Sequence, residues 1–204
     1  MRIQWIGQCA FQITSKSGQT LLIDPYQRVI GLPRGEFPSD VVVFSHRHID
    51  HYDKSAVGPN SKVIEGSGHF IAGDFSVLGV KAYHDNQEGL LSGEVTLYAI
   101  TVDGYRVVHL SDLGEAPSEE SLKRLGRPDV LLFPAGEHTT ISLAEAKQLV
   151  EYMRPKIAIP MAFHRPGLLM PSASLEMVQQ IFPKHRSVKW LELQPRQRLA
   201  DMTE

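Results

Sequence analysis

Between Ser45 and His51 the chain reads Ser-His-Arg-His-Ile-Asp-His, which packs three imidazoles and a carboxylate into six positions. Neutral imidazole is a common ligand of zinc and other borderline metals, and a carboxylate oxygen can complete such a set. In an irregular loop neighbouring ligands turn towards different points, so His46, His48, Asp50 and His51 can serve two ions. A coincidental cluster in a solvated loop is the weaker explanation, since the whole 204-residue chain has only nine histidines. A divalent ion held here lowers the pKa of bound water from ~15.7 towards ~7, the basis of hydrolysis at carbonyl and phosphoryl centres.

Other residues with chemical potential are scattered. His84 closes an apolar stretch, 76–83, where a site rim would lie; the bland alternative is a surface histidine. Asp112 follows the stretch 105–110 and has two oxygens to offer two cations, or it caps the next turn. His109 lies inside that stretch and reads as a core or supporting residue. Asp24, before Pro25, is a turn former or an acceptor that orients a ligand histidine. His138, in Gly136-Glu137-His138-Thr139, is a candidate hydrogen-bond donor to substrate or a plain loop residue. Asp50 is a candidate to steer or accept a proton. Cys9 is flanked by the apolar stretches 3–6 and 10–13 and reads as a small buried residue, because no neighbour supplies the base that a nucleophilic thiol needs.

Several elements must position these groups. Residues 2–6, 10–14 and 20–24 are strand-like and separated by Gly7 and by Ser17-Gly18. Asp40 to Phe44 is a β-branched apolar run, too short for a helix and suited to a strand buried on both faces, and it runs straight into the histidines. Further strands are expected at 62–65, 76–83, 94–102, 105–110, 129–133, 156–160 and 187–193, with a hairpin at Asp103-Gly104. Ser142 and Glu145 form a capping box. Leu143, Ala146, Val150 and Met153 then share one face until Pro155 stops the helix, a stripe for packing. Residues 118–125 and 172–182 are the other expected helices. Strands with interspersed helices imply a layered α/β sandwich, and one domain over 1–204 is expected, since no linker or low-complexity tract interrupts the chain.

Composition narrows the partners. Hydrophobic residues make up 42% and charged residues 22%, the balance of a globular protein, with a net charge of −2. No basic excess is present to track a phosphate backbone, so nucleic acid is not an expected partner. No run approaches the ~18–20 apolar residues that span a bilayer, the N-terminus lacks the apolar core of a signal peptide, and a single cysteine forms no internal disulfide. A cytoplasmic protein without membrane association is expected, with homo-oligomerisation left open.

The His-x-His-x-Asp-His motif resembles the signature of the metallo-β-lactamase superfamily, particularly its small single-domain hydrolases, the ascorbate-phosphate-lactonase-like branch. Four further segments follow in the family order: Met1 to Phe11, Leu22-Ile23-Asp24-Pro25, Tyr83-His84-Asp85 with Gly89, and His109 to Gly114. The resemblance spans most of the chain and implies a four-layer αββα sandwich. It implies two divalent metal ions, zinc foremost and manganese or iron as alternatives, acting on a small-molecule substrate. His46, His48 and His84 would hold the first ion, Asp50 and His51 the second, and Asp112 would bridge them. The implied activity is cleavage of an ester, lactone or phosphodiester. The rival readings are an iron-dependent redox enzyme of the same fold and a non-catalytic binding protein with a degenerate site.

This sequence departs from the family at the last ligand. In Ile159-Pro160-Met161-Ala162-Phe163-His164, alanine stands where relatives carry histidine, and a histidine follows two positions later. Positions two apart in an extended segment share a face at roughly 6.5–7 Å, so a bulge or shift of the backbone would let His164 replace the missing ligand, which is the expectation; otherwise the second ion is weakly held or absent. Gln8, Ser111 and Glu94-Val95 also differ from common family residues and bear on the substrate more than on the reaction.

Overall fold

The computed structural model of the chain describes residues 1–33 and 35–194. Two six-stranded sheets lie face to face. The first contains β1 (Arg2–Gly7), β2 (Ala10–Thr14), β3 (Thr20–Ile23), β4 (Val41–Phe44), β5 (Lys62–Glu65) and β12 (Leu191–Glu192), in the order β12-β1-β2-β3-β4-β5. The second contains β6 (Gly68–Ala72), β7 (Phe75–Tyr83), β8 (Glu94–Val102), β9 (Tyr105–His109), β10 (Val130–Pro134) and β11 (Ile157–Met161), in the order β11-β10-β9-β8-β7-β6. The expected hairpin at Asp103-Gly104 is present, pairing Val102 with Tyr105.

Side-chain alternation explains the layering. Leu21 and Ile23 of β3 point between the sheets with Phe11, Val43, Phe75, Val77 and Ile100, whereas Leu22 faces outward with Tyr26, Ile30, Leu32 and Leu168. All four residues of β4 are buried, as its β-branched run requires. The outer face of the second sheet is covered by α1 (Glu119–Leu125), α2 (Leu143–Met153) and α3 (Leu175–Ile181), with Leu125, Leu143, Ala146, Leu149 and Val178 in one core cluster. The outer face of the first sheet is covered by the segment around Tyr26–Leu32, which contains the 3-10 turn Arg28–Ile30, and by residues near Leu168.

The Ser142–Glu145 capping box forms as expected: Ser142 Oγ accepts from Glu145 N at 3.2 Å, and Glu145 Oε2 accepts from Ser142 N at 2.8 Å. Leu149 joins the buried stripe of α2, and Val150 packs half-buried against the same cluster. Two strand expectations are corrected. Residues 68–72 form β6, which pairs with β7 across the turn at Gly73-Asp74, and the expected strand 187–193 shrinks to the two-residue β12 against Arg2 and Ile3. Lys184, His185, Arg186 and Lys189 are exposed and give the segment before β12 no apolar face to bury.

The strand ends converge. His46 follows β4, His84 follows β7, Asp112 follows β9, Ala162 follows β11, and Cys9 sits in the turn between β1 and β2. The short separations between these groups place them at one rim of the sandwich.

Candidate metal centre

Ser45, at the mouth of β4, is fixed by Asp24: its N–H donates to Oδ1 and its hydroxyl to Oδ2, both at 2.7 Å. A hydroxyl has one proton, so Ser45 Oγ can only accept from its remaining neighbours, Ser111 Oγ at 2.6 Å and His46 Nδ1 at 3.0 Å. His46 therefore carries its proton on Nδ1, and its buried Nε2 has a free lone pair and no hydrogen-bond partner. His46 Nε2 faces two other imidazoles. Its ring centroid lies 4.5 Å from that of His48 and 5.0 Å from that of His84, and one ligand atom from each of the three falls within 4.8 Å of the others.

The second group is deeper. His51 Nδ1 donates to Asp24 Oδ2 at 3.1 Å, so Asp24 orients both histidine rings at once. The opposite nitrogen, His51 Nε2, lies 3.0 Å from Asp112 Oδ2 and 3.3 Å from Asp50 Oδ2 and makes no hydrogen bond. Asp112 Oδ2 is also 3.4 Å from His84 Nε2, which sets one oxygen between the two groups. Asp112 Oδ1 accepts from Cys9 Sγ at 3.3 Å, and Cys9, His51 and Asp112 form a second set of ligand atoms within 4.8 Å. Gln8 Nε2 donates to Asp50 Oδ2 at 3.0 Å.

The two groups differ in charge. Burial, reinforced by the neighbouring imidazoles, pushes His46 down to about 2, and burial with His84 lowers His48, so both are neutral nitrogen donors at neutral pH. Burial also opposes charge on His51, but Asp112, Asp50 and Asp24 overcome it and raise its pKa well above the usual value. Burial disfavours ionised Asp50 and Asp112, yet His51 holds both below the usual carboxylate range, with help from Gln8 at Asp50. Burial raises the Cys9 thiol, and the three nearby carboxylates raise it further. Without another cation, the His51 proton is what balances these acids. Buried, unpartnered nitrogens facing buried carboxylates are expensive unless a cation joins them, so this donor set fits divalent metal.

The segment 2–162 matches the model of the beta-lactamase superfamily domain. The chain belongs to the metallo-β-lactamase superfamily. A UPF0173 protein of Pyrococcus abyssi is 31% identical, with 80% of this chain and 83% of that protein aligned. A UPF0173 metal-dependent hydrolase of Archaeoglobus fulgidus is 27% identical over 80% of this chain and 84% of its own length. The crystal structure of a Thermotoga maritima protein, described as a candidate zinc-dependent hydrolase of the metallo-β-lactamase superfamily, is similar with a TM-score of 0.78. It is 27% identical, and the match covers 94% of this chain and 91% of that one.

Within this superfamily fold, the structure brings His46, His48, Asp50, His51, His84 and Asp112 together, and it leaves two expected residues outside. His164 is exposed, its backbone N–H donates to Ala173 O at 2.8 Å, and neither set of ligand atoms includes it. The physical reason is the backbone: Ala162 adopts a left-handed φ of 62° and its N–H is tied to Gln8 O, so the chain turns out of the strand before His164. The backbone does depart from the extended path at Ala162, but it leaves the His164 side chain exposed rather than at the ligand sets. His138 is also exposed, on the loop after β10, and its N–H donates to Gly136 O. His109 uses both nitrogens, accepting from Ser111 N at Nδ1 and donating from Nε2 to Cys9 O at 2.8 Å, which makes it a support. Asp24 is the orienting acceptor rather than only a turn former.

Asp85, which follows His84, holds the loop after it, accepting from the N–H groups of Gln87, Gly89, Leu91 and Ser92. At Gly114 a Cβ would stand 2.2 Å from the His84 carbonyl carbon, so glycine lets the Asp112 loop press against the His84 backbone. The residue that sequence reasoning missed is Cys9. Its burial was legible from its flanking apolar residues, but no local signal joins it to Asp112, 103 positions away.

Proposed function

We propose that this chain, a metal-dependent hydrolase of the metallo-β-lactamase superfamily, holds two divalent ions and cleaves an ester, lactone or phosphodiester bond of a small molecule in the cytoplasm. The observation that carries this reading is Asp112 Oδ2, which lies 3.0 Å from His51 Nε2 and 3.4 Å from His84 Nε2 and so borders both sets of ligand atoms. His46, His48 and His84 would hold one ion, His51 and Asp50 the other, and Asp112 both. Zinc fits imidazole best, with manganese or iron as alternatives. The ions would supply Lewis acidity and a nucleophile at neutral pH.

The chain's own residues do the rest. Asp24 keeps His46 and His51 in the tautomers whose Nε2 lone pairs face the site. Asp50 is kept ionised and is oriented by the Gln8 amide, which suits it to hold a cation and to steer an attacking group. No helix among the described residues is long and apolar enough to cross a membrane. The net charge of −2 favours a small-molecule substrate over nucleic acid.

The test is metal reconstitution followed by a screen against lactones, phosphodiesters, esters and thioesters, with elemental analysis of the same samples. About two ions per chain and turnover of one class are expected. Two bound ions with no turnover across the screen would favour a binding protein, and metal-dependent electron transfer would favour a redox enzyme.

A further inference from the structure

The chemistry above leaves Cys9 unused. Its side chain is fully buried, and Sγ lies 3.3 Å from Asp112 Oδ1 and within 4.8 Å of a ligand atom of His51. An independent feature points at the same space: His51 Nε2, on a side chain with no exposure, has no hydrogen-bond partner there. Zinc bonds of about 2.0–2.3 Å put the ligands of one ion roughly 3–4.5 Å apart, and both the 3.3 Å from Cys9 Sγ to Asp112 Oδ1 and the 3.0 Å from His51 Nε2 to Asp112 Oδ2 fall in that range.

The turn that carries Cys9 is built to hold it still. Gln8 has a left-handed φ of 48°, its carbonyl accepts from Trp5 Nε1 at 2.8 Å and from Ala162 N at 3.1 Å, and the Cys9 carbonyl accepts from His109 Nε2 at 2.8 Å. The bond from Ala162 is the telling one. It joins the residue before Cys9 to the position where the superfamily pattern has a histidine and this chain has a methyl group.

We propose that Cys9 Sγ is a ligand of the second ion, taking the coordination position that Ala162 leaves open, so that the second set is Cys9, Asp50, His51 and Asp112. The proposal rests on the two-ion reading and refines it. When the ion binds, the S–H bond breaks, the proton leaves to solvent and a sulfur lone pair forms the bond to the metal. A thiolate among the ligands favours zinc or cobalt over manganese at this position, whereas the three-histidine set does not discriminate in that way. The alternative is a thiol that only donates to Asp112 Oδ1 and orients it.

Because Cys9 is the sole cysteine, sulfur-to-metal spectroscopy is unambiguous. The full chain, stripped of metal, is titrated with cobalt(II). One of two bound equivalents should bring an intense near-ultraviolet thiolate-to-cobalt charge-transfer band, and the other only weak visible bands from nitrogen and oxygen ligands. Cys9→Ser and Cys9→Ala should both lose the charge-transfer band and keep the weak bands. Loss of an outer partner costs 10–100-fold in metal affinity, so loss of this direct ligand should weaken one equivalent by roughly 100-fold or more. Serine keeps a hydroxyl donor for Asp112, so a merely orienting role would leave Cys9→Ser close to the parent. Two equivalents bound to the parent without the band would overturn the Cys9 assignment and leave the hydrolase reading standing. Fewer than two bound equivalents would overturn the two-ion reading and with it the assignment of Cys9 to a second ion. Should the variants fail to fold, the parent spectrum alone decides.

Discussion

His46, His48 and His84 come from two loops, offer three imidazoles and include one exposed ring, whereas Cys9, His51 and Asp112 come from three distant parts of the chain and are all buried. Around the first group lie other imidazoles; around the second lie the carboxylates of Asp24, Asp50 and Asp112. The first is a set of lone pairs waiting at the rim, ready to exchange metal with solvent. The second is an anionic pocket that already contains a cation in the form of the His51 proton. On the two-ion reading, the two halves would therefore differ in affinity, pH response and selectivity even for ions of the same element.

The largest effect should come from breaking the group shared by both halves. Asp112→Ala should lower activity by roughly 10³-fold, the equivalent of the several kcal/mol that metal ions contribute to transition-state charge. It should also loosen both ions. His109→Ala, which removes a support, should cost roughly 10–100-fold at most. Side-by-side kinetics and metal content check the pair, and equal losses would mean that the roles in the segment 109–112 are wrongly assigned.

A smaller effect should distinguish the halves from behind. Asp24 touches His51 directly but reaches His46 only through Ser45. Asp24→Ala should weaken the second ion by roughly 10–100-fold and the first by less. Chelator titration followed by elemental analysis measures the two affinities, and a larger loss at the first ion would reverse the comparison.

Protons separate the halves further. His46 and His48 have lowered pKa values and release no proton to metal near neutral pH, so affinity for the first ion should be nearly flat with pH. His51 is raised and must lose its proton, so affinity for the second ion should rise about tenfold per pH unit below the pKa of His51. A Cys9 thiolate would add a second proton and steepen this to about 100-fold per unit. In metal-free protein the same groups act on stability. The contribution of His51 is fully present below about pH 6.5 and lost as pH rises through its folded pKa, whereas those of Asp50 and Asp112 are present above about pH 4 and lost as pH falls through theirs. Calorimetric metal binding in buffers of different ionisation heat would count the protons, and identical slopes for the two ions would erase the distinction.

The same contrast explains what the sequence could tell. Two of the three residues of the first group, His46 and His48, and half of the second, Asp50 and His51, lie in one seven-residue run after a buried strand, and their chemistry is legible because metal ligation needs those residue types close together. The sheets were legible from alternation and turns, and α2 from its capping box. Asp24 was legible only as one of two readings, and Cys9 was not legible as a site residue, since it acts through Asp112, a partner 103 positions away. β6 was missed because Gly68 and His69 dilute its strand signal, although the Gly73-Asp74 turn marks its end.

The smallest effect is expected where sequence spacing alone points to a ligand. If the chain stayed extended after Met161, His164 would lie on the same face as Ala162 and reach the second ion. It does not stay extended. Ala162 takes a φ of 62°, Ala162 N–H is held by Gln8 O, and His164 N–H is held by Ala173 O, which leaves the imidazole exposed. His164→Ala should therefore change the affinity of either ion by less than about twofold, within the scatter expected of a surface substitution. The informative partner is Ala162→His in the Cys9→Ala protein. Residue 162 is buried beside the turn that carries Cys9, so an imidazole there has a path to the same ion and should restore much of the lost affinity. Chelator titration of the two variants against the parent makes the comparison. A large loss in His164→Ala, with no rescue by Ala162→His, would mean that the segment after Met161 swings inward when metal binds and that the second ion takes its last ligand from His164.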